Sequence, residues 1–290
     1  MLDSKLSKKI NDFVYQKPRT IQEIGLLINK NWRTANSYIK KISEEQGTIS
    51  VRTFREGTRG ALKIVFWNNI ENIHSSELQE KLFRKIESSK RKTDFSPSEI
   101  YQFVEKKNKA LKIMNEKEYT SKKNFEDFTN LLKSATSQIL FFSGNLTFSN
   151  FESHDIKIRK IIEDLSKNNV RSKILTRVEL PGLQNIKNVL GINNRIGKKM
   201  IEIRHSLQPL RTTIIDNKVA VFKETFYPSN YEKDELDETK FLLYYIYDPE
   251  WIEWLKKVFF NFYRISVDAE KRIEDFDHPT NIWLGKKKKF

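Results

Sequence analysis

The spacing of apolar residues changes abruptly at Gly47, and this change constrains the fold of the first part of the chain. Over residues 35–42 the apolar positions recur at three- and four-residue intervals, as on the buried face of a helix. Over residues 49–66 they alternate with polar ones, as in strands, on both sides of the glycine-containing segment 56–60. The sequence therefore predicts a helix followed directly by a β-hairpin.

Two further helical patterns precede this segment. Leu6, Ile10 and Phe13 recur at helical spacing, and a second helix is predicted to begin after Thr20, because Glu23 three residues later completes a capping box. A short turn then leads to the next helix, as in a helix-turn-helix. Three helices followed by a hairpin is the order of a winged helix-turn-helix, which we expect over residues 1–70.

The polar surface of the third predicted helix carries side chains of the types that bind bases and phosphates. On duplex DNA this helix would lie in the major groove, and the hairpin would reach the adjacent backbone or minor groove. The candidate DNA-binding residues are Arg33, Thr34, Asn36, Ser37, Lys40, Lys41, Arg52, Arg55 and Arg59. Trp32 either closes the core of the unit or lies against the DNA backbone. Helix-turn-helix units also bind proteins, and this alternative stays open.

The distribution of charge favours a polyanion as the partner of the N-terminal part. The chain of 290 residues has a net charge of +15. Residues 1–70 hold 13 Lys and Arg against 6 Asp and Glu, whereas residues 124–290 hold 27 against 23. The four lysines at 286–289 alone equal the excess of that last segment. The alternative is a lysine-rich surface that is merely solvated.

Composition argues against several kinds of site. The chain lacks cysteine, and His74, His154, His205 and His278 are not spaced as metal ligands, so neither a metal nor a cofactor is predicted. No apolar run approaches the roughly 18–20 residues that span a bilayer, and no membrane partner is expected. The N-terminus is amphipathic rather than typical of a signal peptide. The predicted location is the cytoplasm, in association with the nucleoid.

The sequence of residues 71–121 indicates a helical connector between two domains. Leu78, Leu82 and Ile86 recur at helical spacing, and a second short helix is expected after a proline. These amphipathic helices either pair two copies of the chain or pack on a neighbouring domain. A basic tail is expected over residues 273–290, where it either binds phosphates or only keeps the end of the chain soluble.

From residue 122 to residue 272 helical and strand patterns alternate. Short apolar runs suited to buried strands are separated by amphipathic helical segments, and a hairpin is expected to turn at Asp216. Such alternation predicts a layered α/β sandwich with a mixed sheet, so the whole chain is interpreted as a multi-domain α/β protein. The aromatic stripe from Trp251 to Phe262 is expected in the core, with part of it in a dimer interface.

Three segments of this region carry a resemblance to a known family. The order QILFFSGN, EIRHSLQPLRTTIIDNKVAVFKE and FLLYYIYDPEWIEWLKKVFFNFY resembles phospholipase D-like domains. In that family the strand of the second segment carries part of an H-x-K-x4-D signature. With its aspartate placed on Asp216, the lysine position is Arg211 and the histidine position is Pro209. The resemblance implies a degenerate motif, because proline cannot supply the nitrogen that attacks phosphorus.

Together with the N-terminal unit, this order of domains resembles TrmB-like archaeal transcriptional regulators. The resemblance implies a catalytically inactive phospholipase D-like domain for dimerisation or effector sensing, and hence a chain that is not an enzyme. Asp216 is then either a turn residue or a group that orients Arg211. Arg211 and His205 either hold an anionic effector or have only a surface or salt-bridge role, and a sugar is the alternative effector.

The predicted function is that of a sequence-specific transcriptional regulator that binds double-stranded DNA. As a homodimer it would place two recognition helices on half-sites about one helical turn apart. The first alternative is an architectural or chromatin-associated DNA-binding protein with little sequence preference. The second is a phospholipase D-type nuclease with a replacement nucleophile.

Overall fold

The chain divides into two compact units, Met1–Ser76 and Glu77–Phe290. The computed structural model describes residues 3–55, 61–67, 76–153 and 156–277. Arg59 of the predicted hairpin tip and the lysines at 286–289 therefore lie outside the described residues. Each unit has its own elements and its own core.

In the first unit, helices pack on a small antiparallel sheet. Its elements are α1 Ser4–Gln16, β1 Arg19–Thr20, α2 Ile21–Leu27, α3 Trp32–Gln46, β2 Ile49–Arg55 and β3 Ala61–Trp67. The strands pair in the order β1–β3–β2. Strand β1 is too short to give an alternating pattern, so the sequence does not predict it.

The helices of this unit begin and end at capping residues. The Thr20 side chain accepts a hydrogen bond from the backbone N–H of Glu23, and the Glu23 carboxylate accepts one from the backbone N–H of Thr20. Asn31 caps α3 by accepting from the N–H of Thr34 at 2.9 Å. The helix ends at Gly47, which has φ +62°. These local signals fix both helix starts and the stop before the hairpin.

The turn between α2 and α3 is tight. Asn29 within it has φ +51°. A Cβ atom on Gly25 would lie 2.9 Å from the carbonyl oxygen of Lys30 and 3.7 Å from Cβ of Ala35, so α2 can approach α3 this closely only with glycine there. The core below consists of almost fully buried residues: Ile10, Val14, Ile21, Ile24, Ala35, Ile39, Ile42, Ile49 and Val65.

The hairpin buries only some of the apolar residues that alternate along it. Ile49 and Val65 are fully buried, whereas Leu62 is 48% exposed. The register pairs Arg52 with Ile64, so Ile64 and Leu62 lie on the face opposite to Val65. The alternation thus predicts the strands but does not determine which face covers the core.

The second unit is a mixed α/β structure built on a large sheet. Its helices are α4 Glu77–Ser88, α5 Ser98–Tyr101, α6 Glu116–Tyr119, α7 Lys122–Lys133, α8 Ile158–Lys167, α9 Leu183–Ile196, α10 Pro249–Ile265 and α11 Ala269–Asp277. Its strands are β4 Lys109–Met114, β5 Gln138–Phe142, β6 Glu152–Ser153, β7 Ile156–Lys157, β8 Arg171–Thr176, β9 Ile201–His205, β10 Thr212–Ile215, β11 Val219–Phe226, β12 Lys240–Ile246 and β13 Val267–Asp268. Strands β6 and β7 form a separate short pair.

The order of the large sheet is β13–β9–β8–β5–β10–β11–β12–β4. Strands β9, β8 and β5 are parallel, and the other neighbours are antiparallel. Because β10 runs against β5, with Thr212 opposite Phe142, the start of β10 meets the carboxyl ends of the parallel strands. Ligands commonly bind at this edge of α/β sheets.

The segment expected to form a connector contributes structure to the second unit. Strand β4 pairs with β12 at the edge of the large sheet. In α5, Tyr101 packs edge-on against Tyr244 of β12, with ring centroids 5.2 Å apart. Leu82 and Ile86 of α4 are buried, as their spacing predicts. The stretch therefore packs on the sheet of this unit.

Helix α10 lies in the core of the second unit. Trp254 is 2% exposed and Phe259 is fully buried. The Phe259 ring contacts that of Phe142 in β5, with centroids 5.1 Å apart. The expectation that part of this aromatic stripe forms a dimer interface is therefore wrong, because the sheet of the same chain already covers it.

Candidate functional site

The sequence-predicted residues of α3 share its outer face. The exposed residues are Arg33, Ser37 and Lys40. The half-buried residues are Thr34, Asn36 and Lys41. Lys40 lies 3.8 Å from Glu44, and Lys41 lies 3.8 Å from Glu45. Long, partly exposed pairs at this helical spacing contribute less than about 1 kcal/mol, so both cations remain available to a polyanion.

Lys63 of β3 adds a cation to this face that the sequence does not single out. Its Nζ donates to Oδ1 of Asn36 at 3.3 Å and lies 5.3 Å from the ring centroid of Trp32. Trp32 is 41% exposed and does not pack against the core, so its ring belongs to the polar face. The only signal for Lys63 in the sequence is a lysine inside an otherwise apolar strand.

The hairpin residues are described only in part. Arg52 is exposed on β2. The backbone of Arg55 belongs to the same strand, while its side chain and the whole of Arg59 lie outside the described residues. Their contribution to DNA binding stays a prediction.

In the second unit, Asp216 is held by a dense set of hydrogen bonds. Its carboxylate accepts from the backbone N–H groups of Thr136, Ser137 and Gln138 and from the hydroxyls of Thr136 and Ser137, all at 2.9 Å. Lys218 lies 3.4 Å away. Burial alone would raise the pKa of Asp216, but the hydrogen bonds lower it to about 2. With φ +50°, Asp216 makes the turn after β10 and ties it to the start of β5.

Asp216 cannot orient Arg211, because the two residues lie at opposite ends of β10. Strand β10 spans Thr212–Ile215, and four residues of extended chain cover roughly 13 Å. Of the two roles considered for Asp216, the structure is consistent with the turn residue.

Arg211 lies half-buried at the edge where the parallel strands end. Its Nη1 donates to the carbonyl oxygen of Leu210 at 2.7 Å. Its guanidinium lies against Gly144, where a Cβ atom would come within 2.8 Å of Nη2, so glycine makes room for the arginine. Burial, together with the charge of Arg177, lowers the pKa of Arg211 to about 10. The guanidinium is still charged at neutral pH.

Arg177 and Arg211 form a pair of like charges. Both contact the chain around Gly144: the backbone N–H of Arg177 donates to the Gly144 carbonyl at 2.9 Å. No carboxylate forms an ion pair with either arginine in the described part of the chain. Nε of Arg177 and Oε1 of the buried Gln208 have no hydrogen-bond partner there. Two partly desolvated cations without a counter-charge favour the binding of an anion.

Sequence reasoning missed Gly144, Arg177 and Gln208. Gly144 and Arg177 follow other strands, and only the sheet brings them to Arg211, whereas Gln208 lies three residues before Arg211 in the chain. The pattern Ser-Gly-Asn after an apolar run was the one available signal, since glycine at the end of a strand often allows a close approach.

His205 and Pro209 are not arranged as nucleophiles. Nδ1 of His205 accepts a hydrogen bond from the backbone N–H of Val178 at 2.9 Å. Burial and the charge of Arg272 lower the pKa of His205, so its ring is neutral at pH 7 with the proton on Nε2. Neither nitrogen then has a lone pair for attack. Pro209, at the histidine position of the motif, is buried and has no nucleophilic atom.

Two kinds of site can be assessed over the described ranges of the chain. No helix there combines the length and the apolar character needed to cross a membrane. No three His, Asp or Glu side chains there are grouped in the manner of metal ligands.

Several solved structures are similar to this chain. Nuc from Salmonella typhimurium, a phospholipase D family member, is 16% identical, with 55% of this chain and 97% of that chain covered and a TM-score of 0.37. NucT from Helicobacter pylori is 12% identical, with 55% and 99% covered and a TM-score of 0.40. A polyphosphate kinase from Porphyromonas gingivalis is 12% identical, with 55% and 24% covered and a TM-score of 0.31. No family model and no curated protein matches the sequence.

These neighbours correct one prediction. The expectation that the chain is not an enzyme is contradicted by this comparison, in which the similar structures include a phospholipase D family member. None of the three is a DNA-binding regulator by its description. At 12–16% identity no activity or substrate passes from them to this chain.

Proposed function

We propose that this chain binds double-stranded DNA through its first unit, with a preference for particular sequences, and acts as a transcriptional regulator. The observation that carries the proposal is the outer face of α3. It presents Arg33, Ser37 and Lys40 to solvent, while the opposite side of the helix is fully buried. The order of helices and the hairpin next to α3 support a winged helix-turn-helix arrangement.

The side chains of this face divide into two roles. Arg33 and Asn36 reach base edges, because guanidinium and amide groups can form paired hydrogen bonds with guanine and adenine, each worth about 1–3 kcal/mol of discrimination. Lys40, Lys41 and Lys63 contact phosphates and supply salt-dependent affinity. On binding, Lys63 turns from Asn36 to a phosphate and frees the amide for a base.

Fluorescence anisotropy of the full chain with a labelled duplex tests this assignment. The variant Arg33→Ala/Lys40→Ala is expected to bind at least about tenfold more weakly, since it loses one base contact and one phosphate contact. The matched control is Lys5→Ala/Lys8→Ala, which removes the same charge from exposed positions of α1. Equal losses in both variants, with folding intact by circular dichroism, would contradict a role for α3.

Competition with unrelated duplex separates the regulator from an architectural protein. A regulator prefers its own site by a factor of about 10³ or more. An architectural protein would bind both duplexes alike, with a steep dependence on salt. The homodimer remains a prediction, and analytical ultracentrifugation of the full chain at several concentrations tests it.

For the second unit we propose a phosphate-sized anion as the ligand of Arg177 and Arg211. Two functions are compatible with this pair: sensing of an anionic effector, or cleavage of a phosphodiester by a group that has yet to be assigned. The observation that favours both is the pair of like charges without a carboxylate partner, at the edge of the sheet where ligands bind.

Two measurements on the same protein distinguish the two functions. The full chain is incubated with bis(p-nitrophenyl) phosphate, and its thermal stability is measured with and without inorganic phosphate. Release of nitrophenol that is lost in Arg211→Met supports cleavage. Stabilisation by phosphate without turnover supports sensing. If the chain shows no turnover and phosphate does not stabilise it, binding of an anion by this pair is contradicted.

A further inference from the structure

A second concentration of positive charge lies in a groove of about 440 Å³ between α8 and α9, away from the arginine pair. Five cations and one carboxylate line it: Lys157, Arg159, Lys160, Lys187 and Arg195, with Glu163. Asn188 and Gly191 complete the lining, and no aromatic side chain belongs to it. The groove is therefore polar and strongly basic.

Carboxylates near the groove neutralise only part of this charge: Lys157 lies 3.0 Å from Glu152, and Lys160 lies 3.1 Å from Asp164. Glu163 is shared by Lys160 at 3.8 Å, Lys167 at 2.9 Å and Arg195 at 3.1 Å. Hydrogen bonding from Lys167, with a further contribution from Arg195, lowers the pKa of Glu163 against the opposing effect of burial. The Glu163 carboxylate therefore forms ion pairs with several cations even without a ligand.

Two cations of the groove lack a carboxylate partner among the residues that the structure describes. Within the described ranges of the chain, neither Arg159 nor Lys187 forms an ion pair. Lys187 is exposed and Arg159 is half-buried. Because an exposed cation gains little from a neighbouring carboxylate but much from a dense row of phosphates, such unpaired groups are the ones that bind a polyanion.

The local charge also departs from that of the surrounding region. Residues 156–199 contain 11 Lys and Arg against 3 Asp and Glu, whereas residues 124–290 as a whole contain 27 against 23. The excess of the second unit is therefore concentrated around this groove. The near-neutral average of the region conceals it.

The shape of the groove follows from the spacing of residues on α9. Lys187, Gly191 and Arg195 recur every four residues and so share one face of the helix. Gly191 lies between the two cations on this face, and a Cβ atom there would lie at an ordinary contact distance of 3.6 Å from Nη1 of Arg195. An extended chain of phosphates and sugars fits such an open, basic trough.

We propose that the groove between α8 and α9 binds the sugar-phosphate backbone of duplex DNA, as a contact separate from α3. Charge complementarity selects phosphates, and the lack of aromatic rings leaves no surface on which unpaired bases could stack. This inference rests on the proposed DNA-binding function. The groove adds affinity without sequence preference, because contacts to phosphates carry no base information.

Anisotropy titrations of the full chain with a labelled duplex at several salt concentrations test the proposal. The groove variant is Arg159→Ala/Lys187→Ala, and the control is Lys117→Ala/Lys133→Ala, which removes the same charge from exposed positions of α6 and α7. The groove variant is expected to lower the affinity about tenfold and to reduce the salt slope by about 2, as for two lost phosphate contacts. Equal slopes in the groove variant and the control would overturn it.

Lysine acylation read by mass spectrometry locates the contact. Duplex DNA is expected to protect Lys160 and Lys187 in the wild type and to leave Lys133 reactive. Protection of Lys40 and Lys41 without protection of Lys187 would overturn the groove proposal and leave the function of the first unit standing. Protection of none of these lysines would instead refute DNA binding by the chain.

Discussion

Asp216 follows strand β10 and Arg211 precedes it, and the surroundings of the two charges differ sharply. The carboxylate accepts five hydrogen bonds and has Lys218 nearby, whereas the guanidinium has carbonyl oxygens and a second arginine for neighbours. A charge that is fully satisfied holds the fold together. A charge left without its opposite is available to a ligand.

The comparison predicts the largest effect for Asp216→Asn. The amide cannot accept all of the five hydrogen bonds, and a pKa lowered to about 2 corresponds to a stabilisation of about 2 kcal/mol at neutral pH. Urea denaturation of the full chain measures the loss. The control is Asp234→Asn, an exposed aspartate that also has positive φ, for which no change is expected. Equal stability of the two variants would contradict the role of Asp216.

The same carboxylate predicts a pH dependence. Its folded pKa is depressed, so its stabilisation is complete above the ordinary aspartate pKa of about 3.9 and is lost as the pH falls through about 2. The difference in free energy of unfolding between the wild type and Asp216→Asn should therefore shrink over this range. A difference that stays constant from neutral pH to pH 2 would show that the carboxylate charge does not matter.

At the other end of the strand, Arg211→Met is expected to raise the free energy of unfolding by about 1 kcal/mol in a buffer free of phosphate, because it removes a partly buried cation without a counter-charge. It should also abolish stabilisation by added phosphate. The control is Arg84→Met on the exposed side of α4, which should change neither quantity. Loss of stability in Arg211→Met, or an unchanged phosphate effect, would mean that Arg211 is structural.

The smallest effect on stability is expected for Gly144→Ala. The added Cβ would displace the flexible end of Arg211, so the fold should change by less than about 0.5 kcal/mol while the phosphate effect falls. The control is Ser134→Ala, which changes an exposed side chain at the end of α7. Thermal shift with and without phosphate reads out both variants. An undiminished phosphate effect in Gly144→Ala would place the anion elsewhere.

Local signals in the sequence predict much of the fold. The capping box of Thr20 and Glu23 marks the start of α2, and Gly47 marks the end of α3, because caps act within a few residues. The apolar runs of the second unit are also local signals, and they become strands of the large sheet. Strand β1 and the pairing of β4 with β12 depend on partners far along the chain, so no local sequence pattern predicts them.

The candidate sites were predictable to different degrees. The face of α3 follows from one helical period, so Arg33 and Lys40 could be placed on it from the sequence. The pair Arg177 and Arg211 could not, because each arginine comes from a different strand end and only the sheet order joins them. The groove between α8 and α9 was not predicted either, because the net charge was counted over residues 124–290 as a whole, which are nearly neutral.

The most direct test of the proposed function is a selection of bound sequences from a random duplex pool at near-physiological salt, with Arg33→Ala/Asn36→Ala as the comparison. The proposal predicts an enriched motif in the wild type that disappears in the variant, since these side chains would read bases from α3. A palindromic motif would add support for a dimer. If no sequence is enriched and the variant binds DNA as well as the wild type, sequence-specific recognition by α3 is contradicted.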